Sequence, residues 1–189
     1  AQHSAEIILE IHENSTNSLQ GVLAKIVGHG KNSAKMLGKE IEFAVLSDDF
    51  EPSPKRLKLI FDLLLHLVRN AVSHAIGEIG RVEIDLKSGK CEMILSVADN
   101  GKGLNSEKIR EKAIERKLKP ENAELSEQEI FDLIFLPDFS TSEMLDEISG
   151  RGIGLNAVKN LTENAGGKIS VKTEKDKGTI FQIHLPNNS

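Results

Sequence analysis

Apolar residues recur along this chain at two spacings, and the switches between them mark out its elements. Over residues 4–37 the spacing is helical, carried by Leu19, Val22, Leu23, Ile26 and Val27. The run Asn14-Ser15-Thr16-Asn17 leaves room for a break, and Gly28, Gly30 and Gly38 weaken the second half as a helix. Residues 40–46 alternate polar and apolar, which predicts a strand. A long helix follows over 53–76, with Ser53 as its N-cap, Pro54 in its first position, and Gly77 and Gly80 to end it. Strands are predicted at 81–87 and 92–98, joined by Ser88-Gly89-Lys90. Helical patterns cover 106–116 and 126–135, and the Pro-, Ser- and Gly-bearing stretch 136–150 reads as a mobile loop. A helix over 152–165 stops at Gly166-Gly167, and a hairpin of 168–173 and 179–185 closes the pattern. Strands that come as hairpins need antiparallel pairs, with helices on one face. The expected fold is therefore an α+β two-layer sandwich.

The second helix carries the first chemical signal. Its half from residue 63 to 76 is apolar nearly all round, which predicts burial, yet it holds His66, Arg69, Asn70, Ser73 and His74. His66, Asn70 and His74 lie four apart and share a face. Asn is a poor helix former, so Asn70 gains there only by using its carboxamide. The stripe is compatible with a lined cavity and equally with three satisfied core groups. Asp99 gives the second signal. It ends a strand and opens Asp-x-Gly-x-Gly, where a carboxylate can accept from an exocyclic amine while Gly101 and Gly103 let backbone approach a flat ring. A plain turn with a side-chain cap is the alternative. Third, Ser149-Gly150-Arg151-Gly152-Ile153-Gly154-Leu155 leads into a helix whose free N–H groups suit phosphate. No strand feeds it and no Gly-Lys-Ser/Thr follows, so it is neither a dinucleotide fingerprint nor a P-loop.

Composition narrows the class. The chain has 189 residues, 39% hydrophobic and 28% charged, which is ordinary for one globular domain. A formal charge of −5, with no Trp or Tyr, argues against nucleic acid as a partner. No apolar run is long enough for a membrane span, so no membrane insertion is expected. The single Cys91 excludes an intrachain disulfide and a cysteine zinc cluster; with no signal peptide visible, a reducing cytoplasm is the expected location. The first residue is not Met, which reads as a chain cut from a longer protein.

Singly these signals are weak, but their order and spacing resemble a known family. The run His66 to His74 resembles the N box of the CheA-type chemotaxis histidine kinases, and Asp99-Asn100-Gly101-Lys102-Gly103-Leu104 their first glycine box. Phe135-Leu136-Pro137-Asp138-Phe139-Ser140-Thr141 and Ile148 to Leu155 are similar to the lid and second glycine box. Gly178-Thr179-Ile180-Phe181 and Leu185-Pro186 match the closing strand. The match runs from residue 23 to 186. It lies within the wider superfamily of gyrase, heat-shock chaperone ATPases, sensor histidine kinases and MutL, whose fold is a mixed sheet under a helical layer.

The resemblance implies ATP and Mg²⁺ as ligands. Asn70 would coordinate the metal, with His66 beside it and the γ-phosphate, orienting water or helping to deprotonate the acceptor imidazole. Asp99 would read adenine, backed by Thr179, with Gly101 and Gly103 giving access. Arg69, His74, Lys108 and Lys112 would approach the phosphates. Ser140, Thr141, Gly150, Arg151, Gly152, Gly154 and Leu155 would belong to the closing lid and second glycine box. The implied partners are a separate phosphotransfer domain carrying the acceptor histidine, a response regulator downstream, and a coupling protein and receptor reached through other domains of a homodimer. Residues 1–20 would be a helical lead-in, either the tail of a dimerisation helix or a severed end, and 21–189 the catalytic domain. Ser73 stands where the family usually has Asp, Ala75 where it has Gly, and Asp138 where Gly is common. Two other readings stand beside histidine kinase: an ATPase or serine kinase of the same superfamily, and a signalling module that binds nucleotide without transfer. His66 weighs against the hydrolytic reading, since hydrolytic members usually place Glu there.

Overall fold

The computed structural model describes residues 17–120, 124–137, 139 and 154–187. Helix α1, Leu19–Met36, starts where the Ser18 hydroxyl accepts the Gly21 N–H at 3.2 Å. It buries Leu19, Val22, Leu23 and Ile26, so the core already includes Leu19, inside the expected lead-in; residues 1–16 lie outside the described region. The helix runs through Gly28 and Gly30. At Gly30 the reason is contact: a Cβ would stand 2.6 Å from the Phe43 ring. Phe43 belongs to β1, Glu40–Ser47.

Helix α2, Pro54–Asn70, is capped by Ser53, whose hydroxyl accepts the Arg56 N–H at 3.4 Å. Leu57, Ile60, Leu63, Leu64, Leu67 and Val68 form its buried stripe. Residues Ala71–Ala75 then widen into a π turn, closed by the Ile76 N–H donating to the Ala71 carbonyl at 3.1 Å. Strand β2, Ile79–Ser88, takes in Gly80, which the pattern had placed outside any strand; β3 is Glu92–Asp99. Helix α3, Ser106–Glu115, is capped by Asn105, and α4, Glu127–Asp132, by a Ser126/Glu129 capping box. The end of the expected 126–135 helix tightens into a single 3₁₀ turn, Leu133–Phe135. Helix α5, Leu155–Asn164, precedes β4, Lys168–Glu174, and β5, Gly178–Pro186.

The strands lie in the order β1-β2-β3-β5-β4. β1 and β2 are parallel and the other pairs antiparallel, because α2 is the crossover that a parallel pair requires. Alternation sets one face inward: Val82, Ile84 and Leu86, then Met93, Leu95 and Val97, then Phe181, Ile183 and Leu185 are buried. Helices α1, α2 and α5 pack over that face in one layer. The opposite face carries Arg81, Glu83, Asp85, Ser96, Gln182 and His184. This is the expected two-layer sandwich with a mixed sheet. Its register sets Asp99 opposite Thr179 and brings that end of the sheet beside the π turn of α2.

Candidate functional site

The polar side of α2 is not enclosed. His66, Arg69, Asn70, Ser73 and His74 are all half-buried, so the helix is amphipathic rather than apolar all round. The pattern misled because His66 to His74 contains so many aliphatic neighbours, which pack on the sheet and on α1 and α5. The Asn70 carboxamide makes no hydrogen bond to any described residue, and none to cap the turn that follows. Burial holds the His66 imidazole pKa below its ordinary value; nearby Arg69 lowers it further and Asp62 opposes. At neutral pH it is therefore an uncharged ring with a lone pair to accept a proton or hydrogen bond.

Asp99 ends β3 and is 9% exposed. Burial raises its carboxyl pKa, against the opposing pull of backbone hydrogen bonds from Gly101 and Thr179. The Gly101 N–H donates to its Oδ1 at 2.9 Å. The loop that follows is pinned throughout. The Arg81 N–H donates to Asn100 Oδ1 at 2.7 Å, the Lys102 N–H to the Ala75 carbonyl at 3.1 Å, and the Asp176 N–H to the Lys102 carbonyl at 3.0 Å. The Leu104 N–H reaches Thr173 Oγ1 at 2.9 Å, and that hydroxyl meets the Thr179 hydroxyl at 3.2 Å. Both loop glycines answer to the protein's own backbone. A Cβ on Gly101 would strike the Ala75 carbonyl, and Gly103 has φ +72° with the Glu174 carbonyl 2.5 Å from where its Cβ would stand.

An open cleft of about 360 Å³ lies between these two features. One wall is His74, Ala75, Ile76 and Gly77; the other is Asn100, Gly101 and Lys102, with Asp176 closing it. Of the residues expected in the site, His74 and Gly101 line this cleft, and Asp99 and Thr179 are buried next to it in the chain and across the sheet. His66 and Asn70 sit farther up the regular part of α2 and do not line it. Lys108 is exposed and Lys112 half-buried on α3, also outside the cleft. Gly154 is the N-cap of α5 and makes no side-chain capping bond, the Ala157 N–H donates to the Gly154 carbonyl at 2.9 Å, and Leu155 packs against the core. Ser140, Thr141, Gly150, Arg151 and Gly152, with most of the expected loop 136–150, lie outside the described residues.

Asn100, Lys102 and Asp176, which line the cleft, were missed by sequence reasoning, as was Thr173 beside it. The first two lie inside the glycine box and were open to suspicion for that reason. Asp176, at φ +60° in the β4–β5 turn, and Thr173 carry no local sequence signal.

The family model described as histidine kinase-, DNA gyrase B-, and HSP90-like ATPase matches residues 56–189. The chain is 38% identical over 165 residues to the chemotaxis protein CheA of Bacillus subtilis (strain 168), covering 80% of this chain and 25% of that protein. It is 31% identical over 208 residues to the chemotaxis protein CheA of Halobacterium salinarum, covering 96% of this chain and 31% of the other. Against a gliding motility regulatory protein of Myxococcus xanthus it is 28% identical over 209 residues, covering 94% and 27%. The chain thus spans about a quarter of the length of the first curated relatives it matches. Among solved structures, the nucleotide-free catalytic domain of histidine kinase ThkA superposes with a TM-score of 0.58 at 21% identity, covering 89% of this chain and 92% of that one. The mycobacterial sensor histidine kinase MprB gives 0.54 at 20% identity, covering 87% and 95%. These two share the fold.

Proposed function

Because the chain belongs to the histidine kinase-, DNA gyrase B- and HSP90-like ATPase family, we propose that it binds ATP in the cleft between the π turn and Asn100–Lys102 and passes the γ-phosphoryl group to a histidine on a separate phosphotransfer domain. The observation that carries the reading is Asp99. Its carboxylate is kept buried at a solvation cost and held by backbone N–H groups of Gly101 and Thr179 at the head of the cleft. A carboxylate in that setting has spare lone pairs for an exocyclic amine, and adenine presents one.

The other residues fit a phosphoryl donor lying toward α2. The half-buried Asn70 carboxamide, with no hydrogen-bonding partner among the described residues, is the type of oxygen donor that Mg²⁺ accepts. His66 offers nitrogen, which suits a role beside the metal's water better than direct ligation. Among the described residues no three His, Cys, Asp or Glu side chains gather as a metal cage. Asn70 would thus hold a metal together with phosphate oxygens, and the metal would neutralise phosphate charge. An uncharged His66 imidazole is suited to take a proton from the attacking imidazole. Arg69, Lys108 and Lys112 would supply positive charge, His74 a ring nitrogen at the cleft wall, and the N-terminal end of α5 after Gly154 a favourable dipole toward phosphate. The protein's share of such chemistry is placement and charge, not covalent catalysis. Partners follow from the same reading: the phosphotransfer domain, a response regulator, and a coupling protein and receptor engaged through the rest of a homodimeric cytoplasmic protein. Among the described residues no helix is long and apolar enough to cross a membrane.

Incubation with ATP, magnesium and the cognate phosphotransfer domain should yield phosphohistidine, recognised by its acid lability and alkali stability. Bound ATP without phosphohistidine would leave the non-transferring module, to which Ser73 and Ala75 point. Rapid ATP hydrolysis without any acceptor would favour the hydrolase reading.

A further inference from the structure

Lys39 sits in the short link between α1 and β1, far in sequence from every motif of the site. Its backbone is fixed at both sides: the Lys39 N–H donates to the Ala34 carbonyl at 2.9 Å, and the Glu40 N–H to the Glu78 carbonyl at 2.7 Å. From there the side chain reaches the end of α2. Its ammonium donates to the carbonyls of Val72 at 2.6 Å and Ile76 at 2.7 Å, and lies 3.4 Å from that of Ser73. An ammonium has three donors and no acceptor. The last turn of a helix leaves carbonyls without intrahelical partners, and here the chain departs as extended backbone at Ile76, φ −89° and ψ 139°. The donors of the Lys39 ammonium match these surplus acceptors.

The Ala75 carbonyl, which Lys39 does not touch, is bound by the glycine loop instead. Ala75 accepts the Lys102 N–H and abuts Gly101, so the π turn is gripped by Lys39 on one side and by the glycine loop on the other. Ile76, held by Lys39, and Ala75, held by the loop, both belong to the wall of the cleft formed by His74, Ala75, Ile76 and Gly77.

We propose that Lys39 is a positioning residue for the nucleotide site: its ammonium, by holding the Val72, Ser73 and Ile76 carbonyls, sets the separation between the His74–Gly77 wall and the Asn100–Lys102 wall. This rests on the reading of the cleft as a nucleotide site. Partial burial and the neighbouring Lys102 both lower the Lys39 pKa.

The test compares Lys39→Met, which keeps the length and loses the donors, with Lys39→Arg, which keeps charge and donors. Two quantities are read: hydrogen exchange at the Ile76 and Lys102 amides without nucleotide, and calorimetric affinity for a non-hydrolysable ATP analogue. In Lys39→Met those two amides should exchange roughly tenfold faster or more while Leu95 and Ile183 in the sheet are unchanged, and affinity should fall by a similar factor. Lys39→Arg should recover most of both. Wild-type exchange and affinity in Lys39→Met would overturn the proposal, as would an increase spread evenly over all amides with affinity intact. If Lys39→Met does not fold, Lys39→Gln, with two donors, takes its place in the same comparison. If the wild-type protein binds no ATP analogue, the nucleotide reading fails, and the exchange data alone still decide whether Lys39 holds the turn.

Discussion

At the scale of the residue, the proposed chemistry rests on three side chains, and two of them impose opposite pH dependences on the fold. His66 has its pKa lowered, so the unfolded chain binds its proton more readily than the folded one. Its contribution is complete above the usual imidazole range and is lost as pH falls through that range toward the lowered value. Asp99 has its pKa raised, so the folded chain holds the proton more tightly. Its contribution is greatest in acid and declines as pH rises from the usual carboxylate range through the raised value. Urea titrations across pH should show the declining limb in wild type, and Asp99→Asn should lack it. The same substitution should weaken preference for ATP over GTP, checked by competitive calorimetry. Asn70→Ala should reduce magnesium-dependent phosphoryl transfer roughly 100-fold or more, as for other losses of a single transition-state contact. Because its carboxamide has no partner among the described residues, stability should hardly change, which chemical denaturation can check.

At the scale of the element, the second helix shows how packing and chemistry share one segment. Leu63, Leu67 and Val68 face the core while His66, Asn70 and His74 face outward. Leu67 is fully buried, so Leu67→Ala should cost about 2–5 kcal/mol in urea unfolding, through lost transfer energy and the cavity left behind. The first glycine box behaves as a clamped loop. Gly103→Ala places a Cβ at positive φ against the Glu174 carbonyl and should cost at least about 1 kcal/mol, with nucleotide affinity falling as Leu104 and Lys102 shift. The resemblance led to the expectation that these glycines serve the base. The structure shows that Gly101 and Gly103 are first required by Ala75 and Glu174, a reason invisible in sequence because those contacts cross long separations. Helix α1 shows the same limit in reverse. Gly30 looks like a helix breaker locally, yet it is where the Phe43 ring lies against the helix.

At the scale of the whole molecule, one apolar core joins α1, α2 and α5 to the inward face of all five strands. Unfolding should therefore be a single transition. Far-ultraviolet circular dichroism and the disappearance of core methyl signals in NMR should coincide across urea concentration. Much of this architecture was legible in the chain. Alternation located β1, β2, β3, β4 and β5, helical spacing located α1 to α5, and Ser53-Pro54 marked the start of α2, because each signal is local and repeats over several residues. The site motifs were legible as segments for the same reason: His66 to His74 and Asp99 to Gly103 are contiguous. Their meeting was a different matter.

What the sequence by itself determined is therefore the set of elements, the inward face of each strand, and the polar residues placed on the helices, though not that the polar side of α2 lies open. Propensity, capping and periodicity act over a few neighbours, and a single chain displays them in full. Only the tertiary structure decided that α2 ends in a π turn, that the Ala75 carbonyl meets Lys102 and Gly101, and that His74 lines the cleft while Asn70 lies farther up the helix. It alone brought Lys39 to the carbonyls of Val72 and Ile76, 33 and 37 residues away. Such contacts arise when buried polar groups must find partners wherever the packed core happens to bring them, and no local pattern records that requirement.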